Sequence, residues 1–252
     1  MPKALPLARR VALVTGGAKR LGRATVLELA ALGADVAIHA RASAREARAL
    51  AALVRKKGRK AVVLEADLAD PAACVGLVPA VVAALGRIDV LVTNAARFEP
   101  TDPYTPDVAA WDRLMDVNAR ATYLLTAEAG RRMRDAGGGC IVHLACASAA
   151  SPWPSFLPYS ASKAAVVALT KGFAKAFAPS VRVNAVAPGP ILPAEGSTPA
   201  RDQAAIDATL LKRWGRVEDI VAAIRYLVVD APYVTGAVLP VDGGRHLKGG
   251  RP

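Results

Sequence analysis

Short apolar runs alternate with longer stretches of helical period from Val11 almost to the end of the chain. The runs at 11–15, 35–39, 61–65, 89–93, 140–145, 181–186 and 237–241 read as strands. Their near-continuous apolar character is what a strand needs when both of its faces are covered. Between them, helical patterning is expected over about 20–32, 43–57, 71–85, 108–134, 157–178 and 217–229. Strands alternating with helices predict βαβ units with right-handed crossovers. The fold class is therefore α/β, a doubly wound domain with a seven-stranded parallel sheet.

Repeats, coiled-coil heptads and low-complexity linkers do not interrupt this rhythm. The stretch 188–201, with four prolines and two glycines, is expected to be irregular. It follows a strand, and loops at the carboxyl ends of parallel strands usually carry function. The segments 1–9 and 246–252 are expected to be flexible ends, with the tail from 245 onward frayed unless a neighbouring subunit holds it.

At 252 residues the chain has the size of one large domain, 1–252. Hydrophobic residues at 53% and charged residues at 21% are those of a globular protein. No apolar run reaches the roughly 18 residues that span a bilayer, and Met1 to Arg10 hold no signal-peptide stretch. A cytoplasmic protein without a membrane partner is expected. The three cysteines suit a reducing compartment better than a disulfide framework. Cys140, His143 and Cys146 would share a strand on which His143 points away from both thiols, so no metal site is expected. A net charge of +12 raises the possibility of a polyanion partner. The cations are scattered, however, with a concentration in the first quarter of the chain. No nucleic-acid partner is expected, only a phosphate-bearing ligand and a small-molecule substrate.

The first strand runs into Thr15-Gly16-Gly17-Ala18-Lys19-Arg20-Leu21-Gly22, after which helical patterning begins. Glycines let backbone approach a pyrophosphate, and a helix start offers free N–H groups with a favourable dipole. A Rossmann-type dinucleotide site is the expectation. Further motifs follow in order: Asp67-Leu68, Thr93-Asn94-Ala95-Ala96, Asn118, Tyr159-x-x-x-Lys163, Pro188-Gly189 and Val241-Asp242-Gly243-Gly244. Together they resemble the short-chain dehydrogenase/reductase family over about residues 10–247. Arg20 replaces the middle glycine of that family's loop, and in this form the loop is similar to the pteridine reductase branch.

The resemblance implies the roles of these residues. Thr15, Gly16, Lys19, Arg20, Leu21 and Gly22 would cradle the cofactor phosphates, Asp67 and Leu68 the adenine, and Asn94, Ala95 and Ala96 the ribose. Pro188, Gly189 and Ile191 complete the cofactor contacts. The second strand lacks the terminal acid that accepts from the ribose 2′-OH of NAD. The sequence there is His39-Ala40-Arg41-Ala42-Ser43. His39, Arg41 and Ser43, with Lys19 and Arg20 nearby and no carboxylate opposing them, point to NADP(H). Tyr159 and Lys163, four apart on a helix, would form the proton-donating pair. Asn118 would hold a water that links Lys163 to solvent. Phe98, Arg20, Ser148 and Pro190 are the expected substrate contacts, with Phe98 stacking on a pterin-like ring.

One position departs from the family. Thirteen residues before Tyr159, where a serine usually orients the substrate, stands Cys146, a weak hydrogen-bond donor. Ser148 has the same strand parity and could substitute if the chain still runs extended there. The leading expectation is an NADPH-dependent reductase of C=O or C=N bonds, assembled as a homotetramer or dimer. Two other classes remain, a catalytically weak cofactor-sensing module and attachment to nucleic acid through the basic surface.

Overall fold

The computed structural model describes residues 5–193 and 196–247. Seven strands, β1 (Val11–Val14), β2 (Asp35–Ala40), β3 (Ala61–Glu65), β4 (Val90–Thr93), β5 (Gly139–Leu144), β6 (Val181–Pro188) and β7 (Val238–Val241), form one sheet. Their order is 3-2-1-4-5-6-7, and every adjacent pair is parallel. This is the expected doubly wound α/β fold. The helices are α1 (Arg20–Ala31), α2 (Ala44–Lys56), α3 (Pro71–Leu85), α4 (Val108–Met115), α5 (Ala121–Asp135), α6 (Leu157–Phe177), α7 (Pro199–Asp207) and α8 (Val217–Arg225).

The side-chain alternation of the strands builds a core on each face of the sheet. Ala12, Val14, Ile38, Val92 and Val142 pack against α1, α2 and α8 through residues such as Val26, Leu50 and Ile220. Val11, Leu13, Leu91, Ile141 and Val183 face the other way, onto Leu77 and Val81 of α3 and Leu125 and Met133 of α5. The strand order reverses at β1, which lies between β2 and β4. A crevice opens at such a reversal, outside the carboxyl ends of the strands.

Three segments differ from the sequence pattern. The helix expected over 108–134 is divided by a π turn at Asp116–Arg120, and the helix expected over 217–229 ends in a second one at Tyr226–Asp230. A π turn inserts one extra residue into the helix and shifts the side chains that follow, while the residues on either side still read as helical, so the pattern shows one unbroken helix. The stretch expected to be irregular up to residue 201 instead gives way to α7 at Pro199. Thr198 caps that helix by accepting from the Arg201 N–H (3.4 Å), and Pro199 stands at its start. No residue of α7 is buried, so it has no apolar stripe to betray it. Of the ends expected to be loose, 1–4 and 248–252 lie outside the described residues. Leu7 is buried, with its N–H bonded to the Leu32 carbonyl (2.9 Å), and Arg245–Leu247 form a 3-10 turn. Among the described residues no helix is long and apolar enough to cross a membrane.

A candidate active site at the carboxyl edge of the sheet

The loops after β1 and β4 are clamped together. Thr15, fully buried at the end of β1, accepts at Oγ1 from the N–H groups of Asn94 and Ala95 (3.0 Å each). Asn94 Nδ2 donates back to the carbonyls of Thr15 (2.9 Å) and Gly16 (3.1 Å). The Gly16 N–H donates to His39 Nδ1 (3.1 Å), and Nε2 of the same ring lies 3.1 Å from the Ala66 carbonyl. A ring that accepts at Nδ1 must carry its hydrogen on Nε2, so His39 is neutral, in keeping with the downward push of burial on its pKa. It lies beneath the loop and ties it to β2 and the end of β3.

The turn into α1 is as tight as its glycines permit. A Cβ on Gly22 would lie 2.1 Å from the Gly16 carbonyl oxygen, which only glycine avoids. Arg20, where the resembling loop has glycine, adopts φ +51°, in the left-handed region that a side chain disfavours. Its Nη2 reaches the Pro193 carbonyl (2.8 Å), bridging the loop to the segment after β6. Lys19 is the N-cap of α1 but makes no capping bond, and the first turn holds no acid. The positive end of the helix dipole is thus left uncovered by the chain's own side chains.

The rim is less purely cationic than the sequence suggests. Lys19 Nζ sits 3.0 Å from Glu46 Oε1, and Arg41 Nη1 sits 3.6 Å from Asp67 Oδ2. Both pairs are about half exposed. Contrary to the expectation of cations with no opposing carboxylate, helix α2 swings Glu46 onto Lys19, and the turn after β3 brings Asp67 beside Arg41. Ser43 is the N-cap of α2 and its side chain makes no capping bond. Leu68 is buried next to Asp67.

Tyr159 and Lys163 lie one turn apart on α6 and are both buried. Lys163 Nζ donates to the Leu144 carbonyl at the end of β5 (2.8 Å) and is 5.9 Å from the centre of the Tyr159 ring. Burial pulls the lysine down to about 8. Burial, with the Cys146 thiol beside it, pushes the phenol well above its ordinary value. In the free protein at neutral pH the pair is an ammonium and a protonated phenol. Asn118, in the π turn, accepts at Oδ1 from the Arg97 N–H (2.8 Å) and donates to the Arg97 carbonyl and to Ser162 Oγ (3.0 Å each). Ser162 Oγ donates to the Tyr159 carbonyl (2.7 Å), so Asn118 binds the segment after β4 to the helix that carries the tyrosine. Both amide hydrogens of Asn118 are used, leaving one Oδ1 lone pair for a water.

An aromatic wall stands over Tyr159. Phe98 stacks face to face on Phe156 (4.6 Å, 5°) and meets Tyr159 edge-on (4.8 Å), and Trp153 lies beyond. One face of Phe98 is thus already taken, and the residue remains 44% exposed, which leaves the other face for a ligand. Trp153 and Phe156 were not singled out by sequence motifs, although their place just ahead of Tyr159 on the chain could have drawn notice. Ser148 does not share the strand parity expected of it, because the chain turns into a 3-10 segment at Ala147–Ala149. Its hydroxyl is buried without a hydrogen-bond partner, while its N–H donates to Cys146 Sγ (3.5 Å). Gly189 packs so closely on Asp242 that a Cβ would approach its Cα to 2.6 Å. Pro190 accepts at its carbonyl from the Gly215 N–H (2.9 Å), and Ile191 is buried. His143 has both ring nitrogens bonded, to Thr126 and Thr170 (2.9 Å each). All three thiols are free and buried.

A family model described as enoyl-(acyl carrier protein) reductase matches residues 16–246. A short-chain type dehydrogenase/reductase of Picea abies is 33% identical over 95% of this chain and 93% of its own length. A cis-4-hydroxycyclohexanecarboxylate dehydrogenase of Sinomonas cyclohexanicum is 39% identical over 94% and 96%. Among solved structures, FolM alternative dihydrofolate reductase 1 from Brucella canis, complexed with NADP, superposes with a TM-score of 0.92 at 33% identity, over 99% of each chain.

Proposed function

Because this chain belongs to the short-chain dehydrogenase/reductase family of oxidoreductases, we propose that it uses NADP(H) to reduce a C=O or C=N bond of a small molecule, with Tyr159 as proton donor. The observation that carries this reading is the convergence, at one edge of the sheet, of an uncapped glycine-turn helix start and a buried tyrosine–lysine pair. The cradle fits a dinucleotide, since the turn carries no side chain at Gly16 and Gly22 and no acid occupies the first turn of α1. Asp67 and Leu68 would flank the adenine, Asn94 to Ala96 the ribose, and Pro188, Gly189 and Ile191 the nicotinamide. Lys19, Arg20, Arg41 and Ser43 would take the 2′-phosphate, which must draw Lys19 from Glu46 and Arg41 from Asp67. Half-exposed pairs of this kind are worth little and give way easily.

When bound, the reduced nicotinamide supplies a hydride to the carbon of the acceptor bond. Tyr159 gives its phenolic proton to the oxygen or nitrogen, and the buried Lys163 ammonium steadies the phenolate that remains. Asn118 acts as a positioning residue that fixes α6 against the segment after β4. For the acceptor, the open face of Phe98 and the adjoining aromatic wall favour a flat ring. A pterin is the class that the FolM likeness supports, and a ring carboxylate is the one named for the Sinomonas relative. Free thiols accord with a reducing cytoplasm, and the exposed faces of α5 and α6 support pairing of copies into a homotetramer or dimer.

The test is NADPH oxidation against a panel of dihydropterins, aldehydes and cyclic ketones, with NADH as the comparison. NADPH should be preferred, and Tyr159→Phe should lose about two to four orders of magnitude in rate with NADPH affinity nearly unchanged. A fully active Tyr159→Phe protein sinks the mechanism.

A further inference from the structure

Beyond the aromatic wall stands a cation that no step of the reaction uses. The Arg245 guanidinium lies 4.3 Å from the centre of the Trp153 ring, and that ring in turn stacks on Tyr159 (6.4 Å between centres, 25°). The 3-10 turn that carries Arg245 packs against the one that follows Cys146, so the cation is held at the mouth of the cleft, on the side of the phenol. Its chain neighbour Asp242 is committed elsewhere. Asp242 accepts from the N–H groups of Gly244 (2.9 Å) and His246 (2.8 Å) and pairs with His246 Nδ1 (2.8 Å). Among the described residues no carboxylate lies within ion-pair distance of Arg245, and its partial burial works against its charge with only the longer-range pull of Cys146 and Asp242 in its favour. A half-buried guanidinium that stacks on an indole with no anion bonded to it keeps its bidentate fork open to a ligand carboxylate. Trp153 holds it in place, so little ordering is needed on binding.

We propose that Arg245 is the anion-recognising residue of the substrate cleft, and that the acceptor is a flat or cyclic carbonyl or imine compound bearing a carboxylate. The carboxylate pairs with Arg245 while the ring rests on the Phe98–Trp153 wall, with its reducible bond toward Tyr159. This rests on the reductase reading for the role of the cleft, but its test does not depend on turnover. The NADP-loaded protein is titrated by calorimetry with benzoate and with benzamide, two flat probes of nearly equal shape that differ in charge. Benzoate should bind at least tenfold more tightly, Arg245→Met should bring the two within about twofold, and Arg245→Lys should keep part of the preference. Equal binding of the probes to the unmodified protein overturns the proposal, as does failure of both to bind at millimolar concentration. An equal weakening of both probes by Arg245→Met also overturns it, since that is what a purely structural stack on Trp153 would give. Should Arg245→Met lose NADP affinity or its helical circular dichroism, Arg245→Gln serves in its place. Failure of the reductase reading shows up separately, as unchanged turnover in Tyr159→Phe.

Discussion

Cys146 stands where the family resemblance leads one to expect a serine, and its surroundings say how that thiol behaves. It is 7% exposed, its sulfur accepts a long bond from the Ser148 N–H (3.5 Å), and it touches the cluster formed by Leu114 and Tyr159. A thiol donates weakly, so a carbonyl held against it is oriented less firmly than by a hydroxyl. Ser148 does not make up the difference, because its buried hydroxyl sits on a 3-10 turn rather than along the extended strand. Cys146→Ser is expected to raise kcat/KM for simple neutral ketones by about tenfold, the worth of one hydrogen bond of about 1 kcal/mol or slightly more. Steady-state kinetics with cyclohexanone and NADPH checks it. Unchanged or lower activity would mean that the thiol already suits the native acceptor.

At the scale of elements, β5, α5 and α6 are joined through one buried imidazole. His143 on β5 bonds Thr126 of α5 and Thr170 of α6, and Thr170 Oγ1 donates to the Val166 carbonyl (2.7 Å). The hydroxyl of Thr170 therefore accepts from Nδ1–H, and Nε2 accepts from Thr126, a network that only the neutral ring satisfies. Burial first, and then the Lys163 charge, bring the ring down to about 3. Unfolded histidine takes up a proton near 6.5, whereas native His143 takes none until about 3. The unfolded state therefore binds more protons within that window. Stability contributed at this site is full above about 6.5 and drains away as pH falls towards 3, by about 1.4 kcal/mol per pH unit at most. Urea unfolding between pH 7 and 4 should show the decline, and His143→Gln should flatten it by up to one proton. An unchanged slope in that variant would assign the acid sensitivity to other groups.

For the whole molecule, the faces left uncovered are as informative as the core. Tyr123 of α5 is half exposed and packs against Phe173 of α6 (5.8 Å), while Trp111 of α4 and Leu157 at the start of α6 also reach solvent. Large aromatics grouped on neighbouring helices are what an association surface presents. Light scattering coupled to gel filtration should find a tetramer or dimer for the unmodified chain. Tyr123→Arg should shift it towards monomer while leaving the circular dichroism spectrum in place. A monomeric unmodified protein would remove the pairing.

By itself the sequence determined the layered α/β architecture, seven strands to within one or two residues, and the loops that meet at the cofactor crevice. These depend on local signals: apolar runs for buried strands, helical period between them, and glycines wherever backbone must pass close to backbone, as at Gly16 and Gly22. The sequence also placed Tyr159 and Lys163 on one helix face, because the α-helical repeat fixes that. Only the tertiary structure decided the rest, since it depends on contacts between residues distant in the chain. Glu46 against Lys19, His39 beneath the glycine-rich loop, Phe156 on the face of Phe98 and Arg245 over Trp153 are such contacts. No periodicity records them, because each is set by how crossovers and turns bring separate segments to the same edge of the sheet. The π turn at Asn118 and the 3-10 turn at Ser148 belong with them. There the backbone departs from regular spacing, and side-chain direction inferred from that spacing no longer holds.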